Sequence, residues 1–152
     1  METRKNNNLC ADKVDEAVID KVIEACLESK ETNLLTLFEA IRNRLQIPSF
    51  SNSYHALLPA VITVAYRNLG GNITEEEIIA AINRGAHIHE GLRTIGGTCG
   101  AALGVGVAFD ALLKATKPDL TTTGKTMFIT RELLPTVASC EGGCDCCEEA
   151  LL

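Results

Sequence analysis

Apolar residues in this chain recur every three or four positions, which is the spacing of one face of an α-helix. The pattern predicts six helices, over about residues 12–29, 34–47, 53–69, 74–90, 100–117 and part of 123–139. No segment shows the regular alternation typical of a β-strand, although TTTGKTMFIT could hold a short extended piece. We therefore expect an all-α fold, a single compact helical domain of about six helices with a cysteine-rich C-terminal tail.

Residues that favour helix ends mark several of these boundaries. Asn33 is a typical cap before the second helix, and Thr74 followed by Glu77 has the spacing of a capping box. Pro59 falls inside the third and most apolar helix, where proline removes a main-chain hydrogen bond. This helix should therefore either begin late or bend at the proline.

Length and charge limit the possible functions. The 152 residues fit one domain, with a disordered arm expected at 1–10 and a helical domain at 11–152, whose motifs lie in 53–152. The net charge of −6 argues against a nucleic-acid-binding surface, which needs clustered lysine and arginine. The longest apolar stretch, 101–115, contains charged residues and is shorter than the roughly 20 residues of a membrane helix. With no apolar signal sequence at the start, we expect a cytoplasmic protein that binds neither nucleic acid nor membrane.

The segment GGTCGAALGVG raises the question of a phosphate-binding loop. Its glycines match neither the spacing of a dinucleotide-binding motif nor that of a P-loop, which needs Lys followed by Ser or Thr. Gly100, Gly104 and Ala108 instead form a strip of small residues along the fifth helix, where another backbone can approach closely. Cys99 should lie at the N-terminus of this helix, where the helix dipole favours a thiolate.

Cysteines are the strongest functional signal, because seven thiols in a cytoplasmic chain favour metal binding or redox chemistry over structural disulfides. Four of them lie close together near the C-terminus: Cys140, Cys144, Cys146 and Cys147. Three of these have the C-x3-C-x2-C spacing that can hold three corners of a four-iron cluster, and Cys99 could supply the fourth ligand. The same segment could instead contribute to a tetrahedral zinc site.

Two other hypotheses remain open at this point. The adjacent pair Cys146–Cys147 could form a strained, easily reduced disulfide, with Cys99 as the attacking thiol of a thiol–disulfide redox protein. The chain could also be a metal-free helical interaction module, whose strip of small residues packs against a second copy. Cys10 in the arm and Cys26 on an apolar helix face are expected not to be ligands.

Histidines and one arginine are further candidates for the site. His55 lies at the start of the third helix, and either His87 or His89 could join Cys99. His87 and His89 are two positions apart, so they cannot chelate one ion while the fourth helix stays regular. Arg84 could pair with an anionic ligand or with cluster thiolates.

Three segments in order resemble a prokaryotic cysteine-motif domain family of unknown function. They are HALLPAVI, INRGAHIHEGLRTIGGTCGAALGVGVAFDALLKATKP and EGGCDCCEEAL. Its members carry a His-x3-Pro helix, a helix ending in Arg, a Gly-x-Cys-Gly-Ala segment followed by Gly-x-Gly, and a final Gly-Gly-Pro-Arg-Cys-Cys. The similarity runs from residue 55 to the end of the chain. Some members look fused to methyltransferase domains.

The resemblance implies that His55, Cys99, Cys146 and Cys147 form a shared set of site residues, with Arg84 as the family's arginine. The chain departs from the family at CDCCEE, where an extra cysteine and acidic residues replace Pro-Arg and basic residues. We therefore expect a helical protein that binds an iron–sulfur cluster, or else zinc, with a redox, sulfur- or metal-handling role. A homodimer is plausible, as is a methyltransferase or redox partner protein.

Overall fold

Six helices make up the part of the chain that the structure describes, which comprises residues 14–48, 51–89, 92, 97–114 and 120–139. The structure is a computed structural model. The helices are α1 (Glu16–Glu28), α2 (Leu34–Leu45), α3 (Tyr54–Asn68), α4 (Glu75–Ala86), α5 (Gly100–Leu112) and α6 (Leu120–Ala138). No β-strand occurs within these ranges, so the prediction of an all-α fold is confirmed. The predicted arm at 1–10 and the cysteine-rich tail lie outside the described residues.

The predicted helix caps are present. The side chain of Asn33 accepts a hydrogen bond from the main-chain N–H of Thr36 at the start of α2, at 3.0 Å. At the start of α4, the Thr74 hydroxyl accepts from the N–H of Glu77 at 3.2 Å, and the Glu77 carboxylate accepts from the N–H of Thr74 at 2.9 Å. This reciprocal pair is the predicted capping box.

Three helix boundaries differ from the prediction. Helix α4 ends at Ala86 instead of about residue 90, because His87 forms its C-cap. Helix α5 ends at Leu112 instead of about residue 117, and Lys114 has a positive φ of 53°. Helix α6 is continuous from Leu120 to Ala138, so the ambiguous segment TTTGKTMFIT is helical. Contacts of its apolar face with the core compensate for the weak helix propensity of this segment.

Helix α3 is the central element of the fold. It contacts α1, α2, α4 and α5, and it is buried at every position from Tyr54 to Val61. The ring of Tyr54 packs against that of Phe38 on α2, with 5.8 Å between the ring centroids. At the other end of α3, Arg67 donates a hydrogen bond to the carbonyl of Ser29 at 3.1 Å, and Asn68 donates to the carbonyl of Glu31 at 2.8 Å. These bonds attach the α1–α2 connection to the end of α3.

Pro59 lies within α3, and the helix continues through it. A proline cannot donate the main-chain hydrogen bond that a helix would otherwise give to the carbonyl of His55. That carbonyl faces two glycines instead. A Cβ atom at Gly104 of α5 would lie 3.0 Å from the His55 oxygen, and one at Gly85 of α4 would overlap it. The absence of side chains at both positions lets three helices meet at the first turn of α3.

Alanine substitutions at the glycines of this junction should change the free energy of unfolding differently from a substitution at an exposed helical glycine. Gly85→Ala should destabilise the protein by about 1–3 kcal/mol, because the new Cβ would also lie 2.7 Å from Cγ of Pro59. Gly104→Ala should cost less, since its nearest contacts are at 3.0 Å and 3.4 Å. Gly124→Ala in α6 is the control: nothing lies within 4 Å, so it should stabilise by about 0.5–1 kcal/mol. Urea unfolding measures all three, and equal effects at positions 85 and 124 would contradict the close packing.

Candidate functional site

Two of the predicted site residues meet where α3 begins and α5 begins. His55 lies in the first turn of α3 and is only 6% exposed. Its imidazole lies directly against Gly100, the first residue of α5, so that a Cβ atom there would overlap the ring. Cys99 precedes Gly100 as the N-cap of α5 and is 8% exposed. The structure therefore brings a buried imidazole next to a buried thiol position.

The N-terminus of α5 makes the surroundings of Cys99 favourable to negative charge. The first main-chain N–H groups of a helix have no partner within the helix, and the helix dipole adds a partial positive charge there. Cys99 has extended backbone angles, with φ of −109° and ψ of 126°, as is usual for a helix cap. The predicted position of this cysteine at a helix N-terminus is confirmed. A thiolate at such a position is a better nucleophile and a better metal ligand than a thiol.

Cys26 lies elsewhere and is in a different environment. It is fully buried on α1, and burial raises the pKa of its thiol from 9.0 to about 12, although the nearby Arg67 opposes this effect. A thiol with this pKa stays protonated at neutral pH, and protonated thiols bind metal poorly. That Cys26 is not a ligand stays a prediction.

His87 and His89 differ from His55 in their environment. Nδ1 of His87 lies 2.6 Å from the carbonyl oxygen of Asn83, one turn earlier in α4. His89 lies beyond the end of α4, so the two histidines are not on one helix as the sequence had predicted. Both side chains are exposed.

Arg84 has a carboxylate partner within the chain that was not predicted from the sequence. Its Nη1 lies 2.7 Å from Oδ2 of Asp110 on α5, and the Asp110 side chain is only 18% exposed. This ion pair ties the end of α4 to α5. The sequence did contain a signal for this pair, since Asp110 is the single acidic residue within the apolar stretch 101–115. A carboxylate that is largely buried usually has a charged partner.

The strip of small residues on α5 is used within the chain. Gly100 faces the ring of His55, and Gly104 faces the carbonyl of His55 and the ring of Pro59. All three small residues of the strip are buried, including Ala108. α3 of the same chain therefore covers Gly100 and Gly104, while the hypothesis of a helical interaction module stays a prediction.

Helix α6 packs along α5, and the two touch where Thr130 fills the space beside Gly106. The short connection 113–119 joins the end of α5 to the start of α6, so we infer that the helices run antiparallel. At a rise of about 1.5 Å per residue, Ser139 lies about 13 Å from Thr130 along α6, and Cys99 lies about 10 Å from Gly106 along α5. In an antiparallel pair these two displacements point in the same direction. The end of α6 therefore lies towards the N-terminus of α5.

The four C-terminal cysteines, Cys140, Cys144, Cys146 and Cys147, lie outside the described residues. Within the described part of the chain, no group of three or more His, Cys, Asp or Glu side chains is arranged to hold a metal ion. His55 and Cys99 would supply two donors, and the others would have to come from residues 140–147. Among the described helices, none combines the length and hydrophobicity that crossing a lipid bilayer requires.

Comparison with known proteins places this chain in a family. The model of a family of unknown function, DUF5714, matches residues 22–152. The chain belongs to the DUF5714 family. The DUF5714 match includes His55, Cys99 and all four C-terminal cysteines, whereas Cys10 lies before it. No curated protein and no solved structure matches the chain significantly.

The raised pKa of Cys26 predicts a loss of stability in alkaline solution. Above about pH 9 the unfolded chain releases the thiol proton, whereas the folded protein retains it up to about pH 12. The contribution of this thiol to the free energy of unfolding is therefore fully present below pH 9. It falls as the pH rises, by at most about 1.4 kcal/mol per pH unit. Urea unfolding between about pH 8 and about pH 10.5 should show a steeper fall for the unchanged protein than for Cys26→Ala.

Cys10→Ser is the control for this measurement, because it removes a thiol and keeps Cys26. Its stability should follow that of the unchanged protein at every pH. A Cys26→Ala variant whose stability falls just as steeply would show that other groups cause the alkaline loss.

Proposed function

We propose that this protein binds an iron–sulfur cluster, or else a zinc ion, through Cys99 and cysteines of the segment 140–147, in a redox, sulfur- or metal-handling role. One observation carries the proposal: the imidazole of His55 packs against Gly100, immediately after Cys99 at the start of α5. His55 is the one buried residue with an ionisable imidazole among the described residues, and a buried thiol precedes the glycine that it contacts. Both are ligands that zinc and iron–sulfur clusters accept.

The course of α6 supports a contribution from the C-terminal cysteines. The helix ends at Ala138 on the side of α5 where Cys99 lies, and Cys140 follows two residues later. Because an extended residue spans about 3.3–3.6 Å, the segment 140–147 would have the length to extend from that end of α6 towards Cys99. The spacing of Cys140, Cys144 and Cys147 suits a cluster better than a single ion.

Two groups of the chain would prepare the site. The main-chain N–H groups at the start of α5 would stabilise thiolate charge, and a buried position would limit access of water and oxidants. His55 would act either as a ligand or as a neighbour that fixes the position of the Cys99 sulfur. A cluster would supply one-electron redox chemistry when bound.

A thiol–disulfide role is the second candidate, and the position of Cys99 as a helix N-cap favours it. A Cys99 thiolate could attack the disulfide of a partner, which would release one partner thiol and leave a mixed disulfide on Cys99. The reduced pair Cys146–Cys147 could then displace the second partner thiol and Cys99 in turn, and would itself become the disulfide. Both candidates suit a reducing cytoplasm and a redox or methyltransferase protein as partner. They differ in metal content.

Anaerobic purification followed by absorbance, iron, zinc and acid-labile sulfide analysis tests the proposal. We expect broad absorbance near roughly 400 nm with iron and sulfide, or stoichiometric zinc without colour. Cys99→Ser should lower the affinity for the metal by at least about ten-fold, measured as resistance to a chelator. Cys26→Ala is the matched control, because it also removes a buried thiol but should leave the bound metal unchanged.

Two results would contradict the metal site. A freshly isolated protein without metal or sulfide would make the thiol–disulfide role the better candidate, to be tested by a redox titration of Cys146–Cys147. Equal metal content in Cys99→Ser and the unchanged protein would mean that Cys99 is not a ligand. Circular dichroism of each variant separates loss of the site from loss of the fold.

A further inference from the structure

An open groove of about 520 Å³ lies where α4, α5 and α6 meet, away from the α3 face of α5. Pockets of roughly 300–1,000 Å³ commonly hold small organic molecules. Half of the lining side chains are apolar: Ile88, Leu103, Val107, Met127 and Leu134. The groove therefore offers a surface of suitable size and polarity for an apolar group.

The threonines that line the groove add little polarity to it. The hydroxyl of Thr130 donates to the carbonyl of Thr126 at 3.1 Å, and the hydroxyl of Thr126 donates to the carbonyl of Thr122 at 3.3 Å. Each hydroxyl is thus bonded within α6, while its methyl group remains available for apolar contact. Thr130 also occupies the space beside Gly106, which closes the floor between the two helices.

Charge in the groove is concentrated in three side chains. Arg84, Arg131 and Asp110 line it, which gives two positive charges and one negative charge, a net charge of +1. Glu132 lies outside the lining but pairs with Arg131, so both guanidinium groups of the groove are held by a carboxylate. Asp110 holds Arg84 at the groove by their 2.7 Å contact, and a guanidinium has five N–H donors, more than one carboxylate contact uses.

Arg131 is positioned from the other side of the groove. It lies over the ring of Phe128, with its guanidinium carbon 5.0 Å from the ring centroid, and it bonds to Glu132 at 2.7 Å. Its side chain is 72% exposed, so a ligand can reach it. The groove thus combines an apolar floor with a guanidinium group on either side.

We propose that this groove binds a small organic anion with an apolar body, such as an alkyl or aromatic carboxylate, sulfonate or phosphate ester. The apolar body would pack on Leu103, Val107 and Leu134, and the anionic group would lie near Arg84 and Arg131. Hydrogen bonds between a guanidinium and an anion are stronger than those between neutral groups, which makes the charge a requirement for tight binding. The proposal goes beyond the metal site and needs no metal.

Two fluorescent probes that differ in charge test this proposal on the full chain. The first is 8-anilinonaphthalene-1-sulfonate, and the second is the uncharged N-phenyl-1-naphthylamine, which has the same aromatic body. The sulfonate should bind at one site and be displaced by octanoate but not by octanol. Because only the sulfonate meets the guanidinium groups, it should bind at least about five-fold more tightly than the neutral probe.

Matched variants assign the binding to the groove. Arg131→Gln should weaken binding of the sulfonate by about five-fold and leave the neutral probe unchanged. Arg44→Gln is the control, because Arg44 also forms an exposed ion pair, with Glu28, but lies on α2. Val107→Phe should remove binding of both probes by filling the groove, with circular dichroism checking the fold. Cys99→Ser should bind the sulfonate normally, which keeps this test separate from the metal site.

Three results would overturn the proposal. The neutral probe could bind as tightly as the sulfonate, or Arg131→Gln could behave like Arg44→Gln. Light scattering could instead show a dimer that Val107→Phe dissociates. In that last case the groove would be an interface between two copies of the chain and not a site for a small anion.

Discussion

The close contact of three helices at the first turn of α3 is the constraint on which this fold depends. Pro59 removes the usual helical donor to the His55 carbonyl, and the glycines at 85 and 104 bring α4 and α5 against that carbonyl. Cα–H groups of glycine can make weak contacts to such an oxygen, each worth about 0.5–1 kcal/mol. The same approach places the His55 ring beside Gly100, so the packing of the core and the candidate site share one cause.

The cysteines near the two ends of α3 are in different environments. At the C-terminal end, Arg67 and Asn68 bind the carbonyl groups of the α1–α2 connection, and Cys26 packs nearby as an inert apolar residue. At the N-terminal end, Cys99 lies at a helix cap beside an imidazole. Burial keeps the Cys26 thiol protonated, whereas Cys99 lies at a helix N-terminus, a position that favours thiolates in proteins, and we therefore base the proposed function on that end.

Much of this arrangement could be predicted from sequence because it depends on local chemistry. The Asn33 cap, the Thr74 capping box and Cys99 at the start of α5 each follow from residues within one turn of each other. The contact of His55 with Gly100 and the pairing of Arg84 with Asp110 could not, since each joins residues far apart in the chain. The strip of small residues was recognised, but a strip alone does not reveal which helix covers it.

The junction at His55 also limits how this chain can change over evolutionary time. Pro59, Gly85 and Gly104 all lie against the His55 carbonyl or beside it: a side chain at Gly85 would overlap that carbonyl and Pro59, and one at Gly104 would press on both. None of the three can drift independently, so substitutions among DUF5714 relatives should occur there in compensating groups. Such covariation would be carried by steric fit alone, and it would mark the position of α3 in relatives whose sequences have otherwise diverged.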